Sequence, residues 1–543
     1  MPNLEVESSL SLSAENSAFG RWSLAVALVF VLNLIVPSTK ACDGFWNLDP
    51  VDDSWNNPAN WSENCVPNGL NDVALFAASN LPEIEISEGA TVFAMQFQAG
   101  ASSYTFIAPP SKMLTLAQSG VVNQSGVLQQ FVATVDEAGN VGVITLLLQS
   151  TAGVLTTFTA EGSLISGGNG AFIQFQGVSD GGSTTVSNNG GRVSEGKGGE
   201  TDFFNSASGG SAIIINRAGE VGGALGGMTQ FWMASRGTTS VITCEGASIS
   251  GATGGLTLFR DTSTANNATL IANSGSNGAG GGSIQFQGSA AGGTPRIELF
   301  GNGNLDLTLR DSGTVTIGSL EGDGQVLLGS HKLNIGANNL STTFAGVIQN
   351  DGAISKTGTG TLTLSGANLY TDGTTVTSGA VKVANRTGSA TGTGAVTVNA
   401  GILGGRGTIA GATTIGTGSS AGAFLEPSVG ARQPVTTTIQ SLLTFKADGS
   451  YTYKLDSKQA RADEVVANGV TIESGAQFNF TAIGNKRLPL GSVFLAISNT
   501  SAGPISGTFA NLADGSTFSA GKNKYQASYT GGDGNDLTLT VVP

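Results

Sequence analysis

Large apolar residues in the middle of this chain recur at one long, fixed interval. The stretch Gly170-Ala171-Phe172-Ile173-Gln174-Phe175-Gln176-Gly177 is nearly repeated as Gly281-Gly282-Ser283-Ile284-Gln285-Phe286-Gln287-Gly288. Anchored on Phe175, the same frame places Phe203, Phe231, Phe259 and Phe286, with Leu147 one step upstream. Five residues before each anchor stands Gly142, Gly170, Gly198, Gly226, Gly254 or Gly281. Two before it stands Thr145, Ile173, Thr201, Thr229, Thr257 or Ile284, and eleven after it Phe158, Val186, Ile214, Ile242, Leu270 or Ile297. A constant period of about 28 residues points to stacked structural units.

The columns explain themselves as strands. A β-branched residue two before a large apolar one puts both on the same side of a strand. The second apolar column marks another strand facing inward across the coil. The fixed glycine is expected to supply a turn conformation closed to other residues. One coil alone cannot bury these faces, but coils stacked at about 4.8 Å can, with each strand paired to the coil above and below. The expected fold is therefore all-β: a parallel β-helix, right-handed by the usual crossover rule. A further column, thirteen after the anchor, holds Asn188, Asn216, Cys244, Ala272 and Leu299. Its phase reads Cys244 as a small buried residue and not as a reactive thiol.

Composition agrees with many short strands. The 543 residues include 81 Gly, 39 % hydrophobic and only 11 % charged residues, whereas disordered chains combine low hydrophobicity with high charge. A net charge of -14 argues against nucleic acid and against anionic lipid, and is compatible with a neutral cell-surface glycan, a protein partner or no partner. Leu24–Val36 is an apolar run preceded by Arg21 and followed by Thr39-Lys40-Ala41. It is short for a membrane span and fits a secretory signal over residues 1–41, with an uncleaved anchor as the alternative. A lipobox at Cys42 is disfavoured by Thr39 and Lys40. After export Cys42 and Cys65 meet an oxidising compartment, where a disulfide is expected between them; two unpaired thiols are the other reading.

Lys356-Thr357-Gly358-Thr359-Gly360-Thr361-Leu362-Thr363-Leu364-Ser365-Gly366-Ala367-Asn368, followed by Tyr370 and Gly373-Thr374-Thr375-Val376, resembles the autotransporter-associated β-strand repeat. The chain departs from that pattern at Asp372. The resemblance implies a β-helical passenger region of an exported, usually surface-displayed protein. Trp46, Trp55-Asn56-Asn57-Pro58-Ala59-Asn60-Trp61 and Pro67-Asn68-Gly69 look like the segment that opens such passengers. Their rings are expected either to cap the solenoid's first coil or, as Trp46, Trp55 and Trp61, to stack on a glycan. The chain closes on Leu537-Thr538-Leu539-Thr540-Val541-Val542-Pro543 with no barrel-sized alternating region before it, so a passenger without its own translocator is expected. The organisation expected is a Trp-containing cap over 42–110, then the long-period coils over 111–340. Further coils with the family-like repeat follow over 341–440, and a β-rich cap or small sandwich over 441–543.

Candidate chemistry is sparse. Asp202, Asp261, Asp306 and Asp323 fall in different columns, so paired carboxylates of the glycosidase kind are not expected. His331 is the sole histidine, which excludes a His-rich metal site and leaves a triad unsupported. Gly531-Gly532-Asp533-Gly534-Asn535-Asp536 resembles a calcium-binding nonapeptide, but a single copy lacks the oxygens, and a tight turn is the better reading. No catalytic, cofactor or metal site is assigned. The sequence reads as a non-enzymatic exported surface protein with a structural, display or adhesive role; the alternative is a glycan-binding or glycan-cleaving β-helix.

Overall fold

The computed structural model describes residues 41–419 and 422–543. The apolar run Leu24–Val36, Arg21 and Thr39 therefore lie outside the described residues. Short alternating segments ended by glycine or polar turns cannot bury a face alone, and here they are laid side by side as coils with three faces. The first face is a 13-stranded parallel sheet running from Gly44–Phe45 to Val347–Gln349. The second runs from Glu83–Glu85 through Thr185–Asn188 and Thr361–Leu364 to Gln477–Ile483. The third is thin at first, held by single bridges such as Asp180↔Ser208 and Ser208↔Arg236. From Thr314–Ile317 to Val470–Ile472 it becomes a full eight-stranded sheet.

The Phe column superposes. Phe175, Phe203, Phe231, Phe259 and Phe286 are fully buried, and successive ring centres lie 4.6, 4.6, 4.7 and 4.9 Å apart. That spacing is the strand separation itself. Each ring contributes roughly 1.5–3 kcal/mol by burial. On the second face Phe106, Phe131 and Phe158 stack in the same way.

Two expectations about the columns are corrected. The residue paired with Phe175 is Leu146, not Leu147, and Ile173 pairs with Ile144, not Thr145. The run Leu146-Leu147-Leu148 is apolar throughout, so a one-residue slip leaves no trace in the sequence. The fixed glycines serve close packing, not turn geometry. Gly170, Gly198, Gly226 and Gly254 are absent from the residues with positive φ. A β-carbon on any of them would overlap the backbone at the next glycine of the column. Gly is needed because coils touch there, backbone to backbone.

The solenoid also extends further than the expected caps allow. Gly69–Phe76 and Ala90–Phe97 already belong to the first face, so the cap proper precedes Gly69. Beyond Leu442, Glu464–Ala467 still pairs in parallel with Val493–Asn499. After a short antiparallel pair of Leu455-Asp456 with Arg461–Ala462, antiparallel pairing takes over where Val493–Asn499 meets Asp536–Val542, which in turn meets Asn523–Gly531. The charged residues that follow Leu442 sit in strands and turns alike, and parallel pairing continues through them.

Candidate functional site

Positions that alternate outward on the first face bring together residues that lie one coil apart in the chain. Glu200 and Asp202 point out from Glu200–Phe203 while Thr201 and Phe203 point in. The next coil adds Gln230 and Trp232, and the one after it Arg260. The Gln230 amide donates to Glu200 Oε1, and Arg260 Nε donates to Gln230 Oε1 at 3.0 Å. Trp232 Nε1 donates to Asp202 Oδ1 at 3.2 Å, and the Arg260 guanidinium lies 4.5 Å from the Trp232 ring centre. Phe204 flanks that ring at 6.1 Å.

The electrostatics follow from burial. Desolvation raises the Glu200 carboxyl, against the pull of Lys197 and Arg260. Desolvation and then the Glu200 charge push Asp202 well above the carboxylate range. Glu200 and Asp202 lie near enough on one strand for the charge of Glu200 to oppose ionisation of Asp202. The arrangement can hold a rigid, half-exposed aromatic and guanidinium surface.

Sequence reasoning missed this cluster because only the aspartates were tested against the columns. Asp202 and Asp306 in fact share one outward column, linked through Gln230, Leu258 and Gln285, but four coils separate them. That is roughly 19 Å at about 4.8 Å per coil. Asp306 accepts from Thr308 N at 2.8 Å, Asp261 from Met233 N at 3.0 Å, and Asp323 from Gly301 N at 2.9 Å. Each of these three ties down a turn. The visible signal would have been the acidic pair at Glu200-x-Asp202, two residues apart.

The other candidates resolve into structure. Trp46, Trp55 and Trp61 are buried, with ring centres 5.2 Å apart for Trp46–Trp61 and 4.8 Å for Trp55–Trp61. Their indole N–H groups donate to Leu81 O, Pro67 O and Trp55 O. The glycan-contact expectation for these three is corrected: no ring face is open to a sugar, because all three are buried at the first coil, Trp55 against Phe76 and Phe106, Trp61 against Phe76, and Trp46 against Trp61. Cys42 and Cys65 are joined in a disulfide beside this plug, with Cα atoms 5.8 Å apart.

Cys244 lies in the interior at the end of a polar ladder. Asn188 Nδ2 donates to Asn216 Oδ1 at 2.8 Å, and Thr201 and Thr229 hydroxyls donate to the two Asn carbonyls. The Cys244 thiol meets Thr257 Oγ1 at 3.1 Å, and burial pushes it up to about 11. Such a thiol is inert. His331 is buried, and desolvation and then the Arg310 charge lower its pKa. In the turn over residues 531–536, Asp536 accepts from Asn499 N at 2.8 Å and Asn535 donates to Ser501 O at 2.6 Å. Those side chains fasten the last hairpin.

The segment from Lys356 forms one coil with its own fastenings. Lys356 sits in an inward column between Ile335 and Val376. Its ammonium donates to Thr357 O at 2.5 Å and Gly358 O at 3.0 Å, and burial brings it down to about 8. Leu362 and Leu364 align with Val381 and Val383. Asn368 accepts from Ile348 N at 2.8 Å and donates to Ala390 O at 2.6 Å, bridging coils on both sides. Tyr370 is buried, its hydroxyl 2.6 Å from Thr374 Oγ1.

Residues 354–383 match the family model of the passenger-associated-transport-repeat. Within the repeat Asn368 ties the coil to both neighbours, while Lys356 and Tyr370 make their hydrogen bonds inside their own coil. No curated protein matches the sequence. Among solved structures, the crystal structure of the Haemophilus influenzae Hap adhesin is similar at 10 % identity, over 87 % of this chain and 63 % of that one, with a TM-score of 0.26. The chain therefore spans less than two thirds of that structure's length. Among the described residues no helix is long and apolar enough to cross a membrane.

Proposed function

We propose that this chain is an exported passenger-type protein displayed at the cell surface, where its β-helix acts as a rigid stalk with a non-enzymatic, adhesive or spacing role. The observation that carries this reading is the passenger-associated-transport-repeat at 354–383, set within parallel coils that run from Gly69–Phe76 to Val493–Asn499. Coils stacked at about 4.8 Å give a rod on the order of 80 Å long. A core of like-on-like side chains resists bending because every coil is paired on both sides. The glycan reading that rested on Trp46, Trp55 and Trp61 loses its footing with their burial.

The test is protease shaving of intact producing cells, read with an antibody to the solenoid. The epitope should be lost without permeabilising the outer membrane, and cells lacking the chain should adhere less to a partner surface. Protection of the epitope until the outer membrane is opened would contradict the reading.

A further inference from the structure

Two arginines stand where the fold makes no use of them. Arg406, just ahead of Thr408–Ile409, and Arg461, opening Arg461–Ala462, line one open groove of about 430 Å³ together with Pro434, Val435, Thr436 and Ala462. Both are exposed. Among the described residues neither forms an ion pair or a side-chain hydrogen bond. Elsewhere Arg192 pairs with Glu161, Arg217 with Glu245 and Arg296 with Glu321, so carboxylate partners are readily found in a chain of net charge -14.

The nearby carboxylates are already engaged. Asp463 accepts from Ser428 Oγ at 2.8 Å, Val435 N at 2.9 Å and Lys454 N at 3.1 Å. Glu464 accepts from Thr436 Oγ1 at 3.2 Å, and Glu426 lies 3.9 Å from Lys454. Arg432, also exposed, precedes Pro434 by two residues. Asp456, the cross-strand partner of Arg461, accepts from Lys458 N at 2.8 Å, and none of these carboxylates forms an ion pair with Arg406 or Arg461.

Guanidinium forks match the oxygens of a carboxylate or sulfate bidentately. Pro434, Val435 and Ala462 give the groove apolar surface for sugar C–H groups, and no aromatic ring lines it for base stacking. Its open form lets a polymer pass through. We infer that this groove binds the oxyanion group of an acidic carbohydrate, a uronate carboxylate or a sugar sulfate, between Arg406 and Arg461.

The chain from Cys42 onward is to be titrated with polygalacturonate, dextran sulfate and neutral dextran in low and in high salt. An acidic polymer should bind in a salt-sensitive way and neutral dextran should not; the better of the two acidic polymers tells carboxylate from sulfate. R406Q and R461Q should each weaken binding about 10-fold, as expected for loss of one charge-assisted pair. R236Q, at an exposed arginine on the third face, should leave it unchanged. The inference is overturned if neither acidic polymer binds, if the double variant R406Q/R461Q binds like the parent, or if R236Q weakens binding as much. The purified chain answers this wherever it resides in the cell, so failure of the display reading is a separate result.

Discussion

The long coils around Phe203 and the short coils around Leu364 solve the same stacking problem with different means. Phe175 pairs with Phe203, Phe203 with Phe231 and Phe231 with Phe259, whereas Phe344 already meets its partner at Leu364. The period thus falls from about 28 residues to about 20, both within the span of solenoid repeats. The extra length lies between the second and first faces. There the long coils carry loops such as 189–199 and 217–227, where the first short turn has only 300–303. These loops are rich in glycine and stack on one another. Gly162, Gly190 and Gly246 sit against the backbone of the next loop, and Ala247, Ala252 and Ala279 make a small core of their own. The long coils hold themselves with Phe rings and an Asn ladder; the short ones use aliphatic columns, a full third sheet and the Lys356 clasp. Coil length is therefore set by an ornament outside the core, while the core spacing stays constant.

The difference between the two regions is most open to attack at the glycine column. Gly226→Val in the long coils places side-chain atoms inside the backbone of the neighbouring coil. It should cost about 3 kcal/mol or more in denaturant unfolding, since neither backbone can move without breaking the stack. Gly503→Ala, with open space and no positive φ, should be near neutral. Equal effects at the two sites would deny the close packing. Next in size, Phe231→Ala should lose about 3–5 kcal/mol, because its ring is sandwiched between Phe203 and Phe259 and the stack cannot collapse into the gap.

Asn216→Ala tests the polar ladder. It removes the acceptor of the Thr229 hydroxyl and the donor to the Leu256 carbonyl, which Asn216 Nδ2 meets at 2.8 Å, while the Asn188 amide keeps Met228 O. The cost should be about 2–3 kcal/mol, within the range for leaving buried polar groups unpaired. A neutral result would mean the ladder is dispensable.

The smallest effect is a pH dependence. The fold raises the Asp202 and Glu200 pKa values above their ordinary ones, so it favours their protonated forms. Their contribution is full below the ordinary carboxylate range, near pH 4, and is lost as pH rises through the folded-state values. Asp202→Asn should therefore gain melting temperature relative to the parent at pH 8 more than at pH 4. The opposite trend would mean that the carboxylate is favourably paired.

Legibility in the sequence follows from what repeats. The Phe column, the apolar column at Ile214 and Ile242, and the parallel stack are visible because identical faces must meet every coil. The slip at Leu146 is hidden by its leucine neighbours. The third face is hidden where it rests on single bridges at Asp180 and Ser208, which carry no apolar signature. The surface groups were least legible. Glu200, Trp232 and Arg260 meet only through stacking, and Arg406 and Arg461 lie on different coils, so no local motif announces either cluster. Composition misplaced the C-terminal boundary because Lys454, Asp456 and Lys458 decorate strands and turns that still follow parallel coils.

The most direct test of the stacked architecture is a crystal structure of residues 42–543. The account predicts Phe175, Phe203, Phe231, Phe259 and Phe286 along one axis, successive ring centres within about 5 Å, and parallel pairing of their strands. Rings dispersed through separate cores, or antiparallel pairing between the strands of Phe203 and Phe231, would contradict it.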